Sequence, residues 1–512
     1  MRKSRALCSS ETTQTVSQPN APARIRPPIP AGGTQTVSKK HTYKADPAFL
    51  ALGEGYGDTV EAANFPHTIL RYRNDRAAKS VGLDHLSDEA WIRHFGRFEA
   101  LPDNLAAPIA QRYHGHQFRH YNPDIGDGRG FLFAQLRDDQ GRLLDLGTKG
   151  SGTTPYSRAG DGRLTLKGGV REILATELLE ALGADNSKTL SIIETGEQLQ
   201  RGDEPSPTRS AVMVRLNHSH IRIGTFQRLA FFSETELLNK LVTYCLKNYF
   251  GTDSNADASE NVLTFLRLVS ARVAVQAADL MAAGFVHGVL NTDNINITGE
   301  IFDFGPWRFL PSMELSFTAA YFDERGLYSF GRQPEALHWN IYQLAGSFAD
   351  ICEEDALKEA LSEFPALYHS ALRSKLLARV GVKPQGDQID DTMLKLVNGF
   401  LASDAQGSRI GYERFFFDWF GGGVSKDRAM TGPEAVRYKH AEAADMVAIV
   451  SQYAPVNDKA LDAPYFQNGA PCTLLIDEVE DLWSHIAESD NWGPFNDKIK
   501  TIRQMGDALK AD

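Results

Sequence analysis

The chain has 512 residues, 42% of them hydrophobic and 23% charged, with 43 glycines and a formal charge of −11. That length and apolar content allow a sizeable core and more than one lobe, while the acidic excess argues against a general nucleic-acid or anionic-membrane binder, which carries a basic surplus. No run reaches the roughly 20 apolar residues that span a bilayer, and Cys8, Cys245, Cys352 and Cys472 lie far apart with no CxxC pair, which excludes a cysteine zinc site or a dense disulfide framework and fits a reducing compartment.

Residues 1–40 are rich in Ser, Thr, Pro and basic residues, with Glu11 as the single acid, and are expected to be disordered. A cytoplasmic location follows, with a mitochondrial one as the alternative if this basic, acid-poor segment is a transit peptide. From about 41 the sequence alternates Gly-rich turns with short runs, GFLFAQL, LLDLGTK, AVMVRL and HIRIGTF, that read as strands. One helix interrupts them: in GGVREILATELLEALG, Val170, Ile173, Leu174, Leu178 and Leu182 recur at helical spacing and Gly183 supplies the stop. From about 232 to 285 the pattern is helical, with Leu263, Leu266, Val269, Val273 and Leu280 on amphipathic stretches, and it is mostly helical again after 335. Strands around one helix, followed by helices, predict an α+β chain of two lobes.

The strand-rich part holds candidate anion-binding groups. GDGRG at 126–130 precedes a strand, so the backbone at Gly126 and Gly128 can approach a phosphate, with Arg129 adding charge; Gly-Asp-Gly is also an everyday turn. Lys149 follows LLDLGT, and Glu172 lies one turn into the helix, the arrangement of the ion pair by which kinase-like folds orient a nucleotide phosphate. A second Gly-rich turn, SGTTPYSRAGDGR, carries Arg158, Asp161, Gly162 and Arg163. Arg215 and Arg222 interrupt apolar strands and need partners to offset their desolvation. His114 and His116 in HGHQF have no third ligand at sensible spacing and read as structural histidines.

The helical part contains HGVLNTDNINITGEIFDFGPW, residues 287–307. Apolar residues alternate on both sides of Thr298-Gly299, which predicts a tight hairpin in which Ile297 faces Glu300, Ile295 faces Phe302 and Asn294 faces Asp303. Its open end would present a carboxamide oxygen and a carboxylate, two hard ligands of the kind that hold Mg²⁺ together with waters and phosphates. Asp293 lies one residue outside, free to act as a base or to order metal-bound water. His287-Gly288 is followed by Val289 where small-molecule kinases commonly carry an Asp, and this departure counts against ordinary phosphoryl transfer.

Taken together, YHGHQF, GDGRG, GTKGSGTTPYSRAGDGR, REIL, VRLNHSHIRIG, HGVLNTDNINI, DFGPW and GLYSFGRQPEALHWNIYQLA resemble the selenoprotein O family of pseudokinase-fold protein adenylyltransferases. The resemblance implies a protein-kinase-like two-lobe fold, here a strand-rich N-lobe over 41–230, a helical C-lobe over 231–345 and a helical C-terminal extension over 346–512. It further implies that ATP lies in a flipped orientation and that AMP goes to Ser, Thr or Tyr hydroxyls of proteins. Carried over by residue, Gly126, Gly128, Arg129, Lys149, Asp161, Gly162, Arg215 and Arg222 would contact the nucleotide. Glu172 would pair with Lys149, Asp293 would be the proton acceptor, and Asn294 and Asp303 would bind Mg²⁺, with Mn²⁺ as an alternative. Arg119 stands where the family usually has Gly, and no cysteine follows Cys472, so redox control through a C-terminal thiol is not expected. A metal-dependent phosphotransferase and a silent ATP-binding scaffold are the competing readings.

Overall fold

The runs GFLFAQL, LLDLGTK and AVMVRL become strands of one antiparallel sheet in the computed structural model, which describes residues 42–510 apart from 203 and 406. HIRIGTF, read as a strand, instead makes one isolated bridge at Arg222 and turns into a helix from Ile223, and the disorder expected over 1–40 lies outside the described residues. The strands are β1 (Gly57–Thr59), β2 (Ile69–Arg73), β3 (Ile109–Gln111), β6 (Leu132–Arg137), β7 (Leu143–Lys149), β8 (Leu164–Thr165), β9 (Lys188–Leu199) and β10 (Thr208–Asn217), in the order β1-β3-β6-β7-β10-β9-β2 with β8 on β10. A separate hairpin joins β4 (Gly115–Gln117) to β5 (His120–Asn122). Along β10, Ala211 and Met213 face the helix α3 (Leu166–Ala181), while on the other side Val212 and Val214 join Phe131, Phe133, Ala77 and Ala78 of α1 (Asp75–Ser80), and Trp91 and Phe95 of α2 (Asp88–Gly96). With both faces covered, the central strands are buried throughout, as a period-two chain between two apolar layers must be.

Helix α3 starts at Thr165, whose hydroxyl accepts the Gly168 N–H at 3.1 Å, and ends before Gly183, at a φ of 81°. The stop read from the sequence is therefore a left-handed glycine after the last turn. Helices α4 (Ile223–Phe231) and α5 (Thr235–Tyr249) lead into the 25-residue α6 (Ala258–Ala282). α6 buries Leu263, Leu266, Val269, Val273 and Leu280 and packs against α5 and the later helices Gln333–Gly346, Glu354–Leu361 and Phe364–Val380. The chain is thus mixed α/β, a sheet-rich N-terminal half followed by a helical C-terminal part. Its last two long helices, Ile476–Ser489 and Gly493–Leu509, return to α3, where Arg503 pairs with Glu177 at 2.7 Å. Among the described residues no helix is long and apolar enough to cross a membrane.

The hairpin expected around Thr298-Gly299 is not formed as a ladder. A turn is present, with the Gly299 N–H donating to the Asn296 carbonyl at 3.1 Å, but its two legs bind elsewhere. Ile297 donates to the Ile221 carbonyl at 3.1 Å and Ile223 donates to that of Ile295 at 3.0 Å, while Ile301 exchanges bonds of 3.0 Å with Asp185 and Ser187. The alternation was real, but each leg satisfies its backbone groups against chain far away in sequence. The facing pairs predicted for Ile297, Ile295 and Asn294 are therefore corrected.

Candidate active site

The sheet register supplies the first cations. β7 and β10 align Lys149 with Met213 and Gly147 with Arg215, so Lys149 and Arg215 share the face that Met213 turns toward α3. Glu172, on α3, forms a buried ion pair with Lys149. Burial lowers the Lys149 pKa, against the opposing pull of Glu172 and Asp303. Arg222, just before α4, is also buried. It lies over the Tyr113 ring at 4.4 Å and pairs with Asp127 at 3.1 Å, which answers the need for a partner raised by its place in an apolar run.

These cations converge on Asp303. Its carboxylate lies 3.1 Å from Arg215, 3.4 Å from Lys149 and 3.3 Å from Arg222. Burial opposes its ionisation, but Arg215, Lys149, Arg222 and Arg129 outweigh that and hold the carboxyl well below the usual carboxylate range. Asp303 also has a φ of 56°, a left-handed conformation that costs a non-glycine residue energy and that clusters at functional sites.

Asp293 and Asn294 belong to a 3₁₀ turn, Thr292–Asn294. The Asn294 amide donates to the Val289 carbonyl at 2.8 Å, which leaves its oxygen as the acceptor end. Asp293 is buried, and burial pushes its carboxyl up to about 6. Its Oδ2 accepts from Gln117 at 3.4 Å, and its Oδ1 has no hydrogen-bond partner among the described residues.

One cavity of about 790 Å³ gathers Gly126, Gly128, Arg129, Lys149, Asp161, Gly162, Arg215, Arg222, Asp293, Asn294 and Asp303 on its wall. Seven cationic side chains line it against four carboxylates, a local reversal of the chain's acidic balance that suits a polyanionic ligand. Asp161 is held at the rim by Arg201, at 2.6 Å. The glycines serve packing as well as access. A Cβ on Gly126 would stand 2.5 Å from the Tyr156 ring, and one on Gly128 would stand 2.9 Å from the Tyr156 carbonyl oxygen, so the two Gly-rich loops interlock only without side chains there.

Among the wall residues not singled out in the sequence are Asp127, Tyr113, Gln117 and Arg201. The need of Arg222 for a partner was the signal for Asp127, a carboxylate flanked by two glycines. His114 and His116 are structural as read, His114 bonded to the Tyr121 hydroxyl at 2.8 Å and His116 to the Gln227 amide at 2.8 Å.

Asp293, Asn294 and Asp303 offer only oxygen donors, and the orphaned Asp293 Oδ1 is a buried acceptor awaiting a cation or a proton. The set fits a hard divalent ion completed by phosphates and water.

A cavity rich in cations from the sheet-rich half and in carboxylates from both parts of the chain is suited to a phosphate-bearing ligand. The family model described as protein adenylyltransferase SelO matches residues 39–503, and the chain belongs to that family. Its relatives include proteins named protein nucleotidyltransferase YdiU. That of Synechocystis sp. is 43% identical over 476 residues, covering 90% of this chain and 97% of the relative. That of Trichormus variabilis is 41% identical over 480 residues, covering 91% and 96%. That of Gloeobacter violaceus is 41% identical over 490 residues, covering 92% and 99%.

Proposed function

We propose that the chain transfers AMP from ATP to Ser, Thr or Tyr hydroxyls of proteins and releases pyrophosphate. The observation that carries this reading is the meeting of Lys149, Arg215 and Arg222 at Asp303, in the same cavity as the base candidate Asp293, in a chain of the adenylyltransferase family. Fixed cations of this density suit a leaving group that carries most of the charge. Arg129, Lys149, Arg215 and Arg222 grip the phosphates, and the loops at Gly126, Gly128, Asp161 and Gly162 enclose the rest of the nucleotide. The acceptor hydroxyl attacks the α-phosphorus, the bond to the bridging oxygen of the β-phosphate breaks, and the hydroxyl proton passes to Asp293.

Asn294 and Asp303 are the residues that would hold Mg²⁺, or Mn²⁺, which when bound neutralises charge on the phosphates. Asp303 meanwhile orients the three cations that surround it. The sheet-rich and helical halves correspond, on this reading, to the two lobes of a protein-kinase-like fold, 41–230 and 231–345, with 346–512 as the extension. The buried Lys149–Glu172 pair and the Asp-Phe-Gly at 303–305 support that correspondence.

Incubation with Mg²⁺, ATP and a mixture of protein acceptors should give proteins heavier by one AMP and an equivalent of pyrophosphate. Asp293→Ala should lower the rate roughly 10²- to 10⁴-fold, as loss of a general base does, with little change in ATP affinity by calorimetry. Release of inorganic phosphate in place of pyrophosphate would refute the reading, and equal loss of binding and turnover would make Asp293 a ligand.

A further inference from the structure

The β4–β5 hairpin has no part in the chemistry above, yet it meets the catalytic turn residue by residue. The His116 N–H donates to Thr292 Oγ1 at 2.7 Å, the Phe118 N–H to Asn291 Oδ1 at 3.0 Å and the Gln117 side chain to Asp293 Oδ2 at 3.4 Å. In the hairpin Gly115 pairs with Asn122 and Gln117 with His120. Side chains of paired residues share a face, so Gly115, Gln117, His120 and Asn122 lie on one side of the hairpin, where Gly115 and Gln117 meet Asp293 and Asn122 meets Gln117. Gly115 is bare there for a reason: a Cβ would stand 3.0 Å from Asp293 Oδ1.

The polarity of the contacts is fixed from outside the cavity. A backbone N–H can only donate, so the Asp124 N–H, 2.9 Å away, must face the oxygen of the Asn122 amide. The other end of Asn122 is then its NH₂, which donates to Gln117 Oε1 at 3.0 Å. That leaves the Gln117 NH₂, and no other group of this side chain, to face Asp293. The last bond is long, as catalytic hydrogen bonds often are before a substrate tightens the site.

We infer that Gln117, oriented by Asn122, is a positioning residue that distinguishes the two oxygens of Asp293. It holds Oδ2 on the side where Gln117 and Asp293 together line the cavity, to take the proton of the acceptor hydroxyl, and leaves Oδ1 buried against Gly115 without a partner among the described residues. This inference rests on the reading of Asp293 as the base.

The test compares variants for transfer from α-labelled ATP, with ATP affinity by calorimetry and melting temperature measured beside it. Gln117→Leu should lower kcat about 10- to 100-fold, the usual loss when an orienting partner is removed, with KM for ATP and ATP affinity within about twofold of wild type. Asn122→Asp reverses the chain of donors, because the introduced carboxylate accepts from Asp124 and cannot donate onward. Gln117 then turns its NH₂ away and offers Oε1 to Asp293. This variant, outside the cavity wall, should lose at least as much kcat as Gln117→Leu, again without loss of ATP affinity. The double variant should be no worse than Gln117→Leu alone. Wild-type kcat in Asn122→Asp, or losses that multiply in the double variant, would overturn the relay. If the wild type transfers the γ-phosphoryl group instead of AMP, the adenylyl reading fails and the relay is judged by the same ratios on that reaction. A wild type that transfers neither group overturns both.

Discussion

Asp303 does two jobs that pull against each other. Three cations touch its carboxylate, so it keeps like charges together while no phosphate is present, yet it is also the full negative charge proposed for the metal. Removing that charge should separate the two roles. Asp303→Asn is expected to bind metal-free ATP at least as tightly as the wild type, since the arginines lose a competitor for phosphate. Mg²⁺-dependent transfer should fall by on the order of 10²-fold or more, the scale of a lost electrostatic stabiliser. Calorimetry with and without Mg²⁺, beside a transfer assay, checks both. Retained Mg²⁺-dependent transfer would remove Asp303 from the metal site. The residues expected to contact nucleotide or metal, and the base candidate, line one cavity, and Glu172 reaches it through Lys149, because charged residues in apolar runs and glycine-flanked acids are conspicuous in a sequence. Asp127 and Gln117 were not, because their meaning lies in contacts with Arg222 and Asp293, which sequence distance conceals.

At the scale of elements, helix α3 was legible down to its stop, since period and capping are local properties. The expected hairpin was not, because which strand a leg pairs with is decided by chain more than seventy residues away, at Ile221–Ile223 and Asp185–Ser187. The β4–β5 turn shows the reverse: the unusual Arg119 was visible, but its strain was not. Phe118 and Arg119 take φ of 49° and 64°, the two central positions of a turn that prefers Asn-Gly. Arg119 offsets part of that cost through an exposed pair with Glu335 at 3.1 Å and the Trp339 ring at 5.3 Å. An exposed pair contributes about 0–1 kcal/mol, whereas the left-handed conformation costs roughly 1–2 kcal/mol. Arg119→Gly is therefore expected to raise stability by up to about 1 kcal/mol in urea denaturation. A clear loss of stability would show that Glu335 and Trp339 hold the hairpin through this side chain.

Over the whole molecule, stability should respond to pH through buried acids away from the cavity. Glu300 accepts the His218 N–H at 2.6 Å, and burial, with the nearby Asp185 carboxylate, pushes its carboxyl well above the ordinary range. Below that range both folded and unfolded chains are protonated there, and nothing is lost. As pH rises, the unfolded chain ionises first, so stability falls until the folded carboxyl ionises as well. Glu300→Gln cannot ionise and should be the more stable protein at pH 8, by on the order of 2 kcal/mol, with the gap closing toward pH 4.5. A gap independent of pH would mean that Glu300 is ionised in the folded state.

The identity of the group transferred tests the account most directly. Phosphoryl transfer needs the γ-phosphorus beside the base, whereas the proposed reaction needs the outer phosphates held by Arg129, Lys149, Arg215 and Arg222 as a leaving group. The protein is incubated with Mg²⁺ and protein acceptors, once with ATP labelled at the α-phosphate and once with ATP labelled at the γ-phosphate. Label should enter protein from the α position alone, and Asp303→Asn should remove nearly all of it. Label entering from the γ position alone would make the chain a kinase and contradict the account.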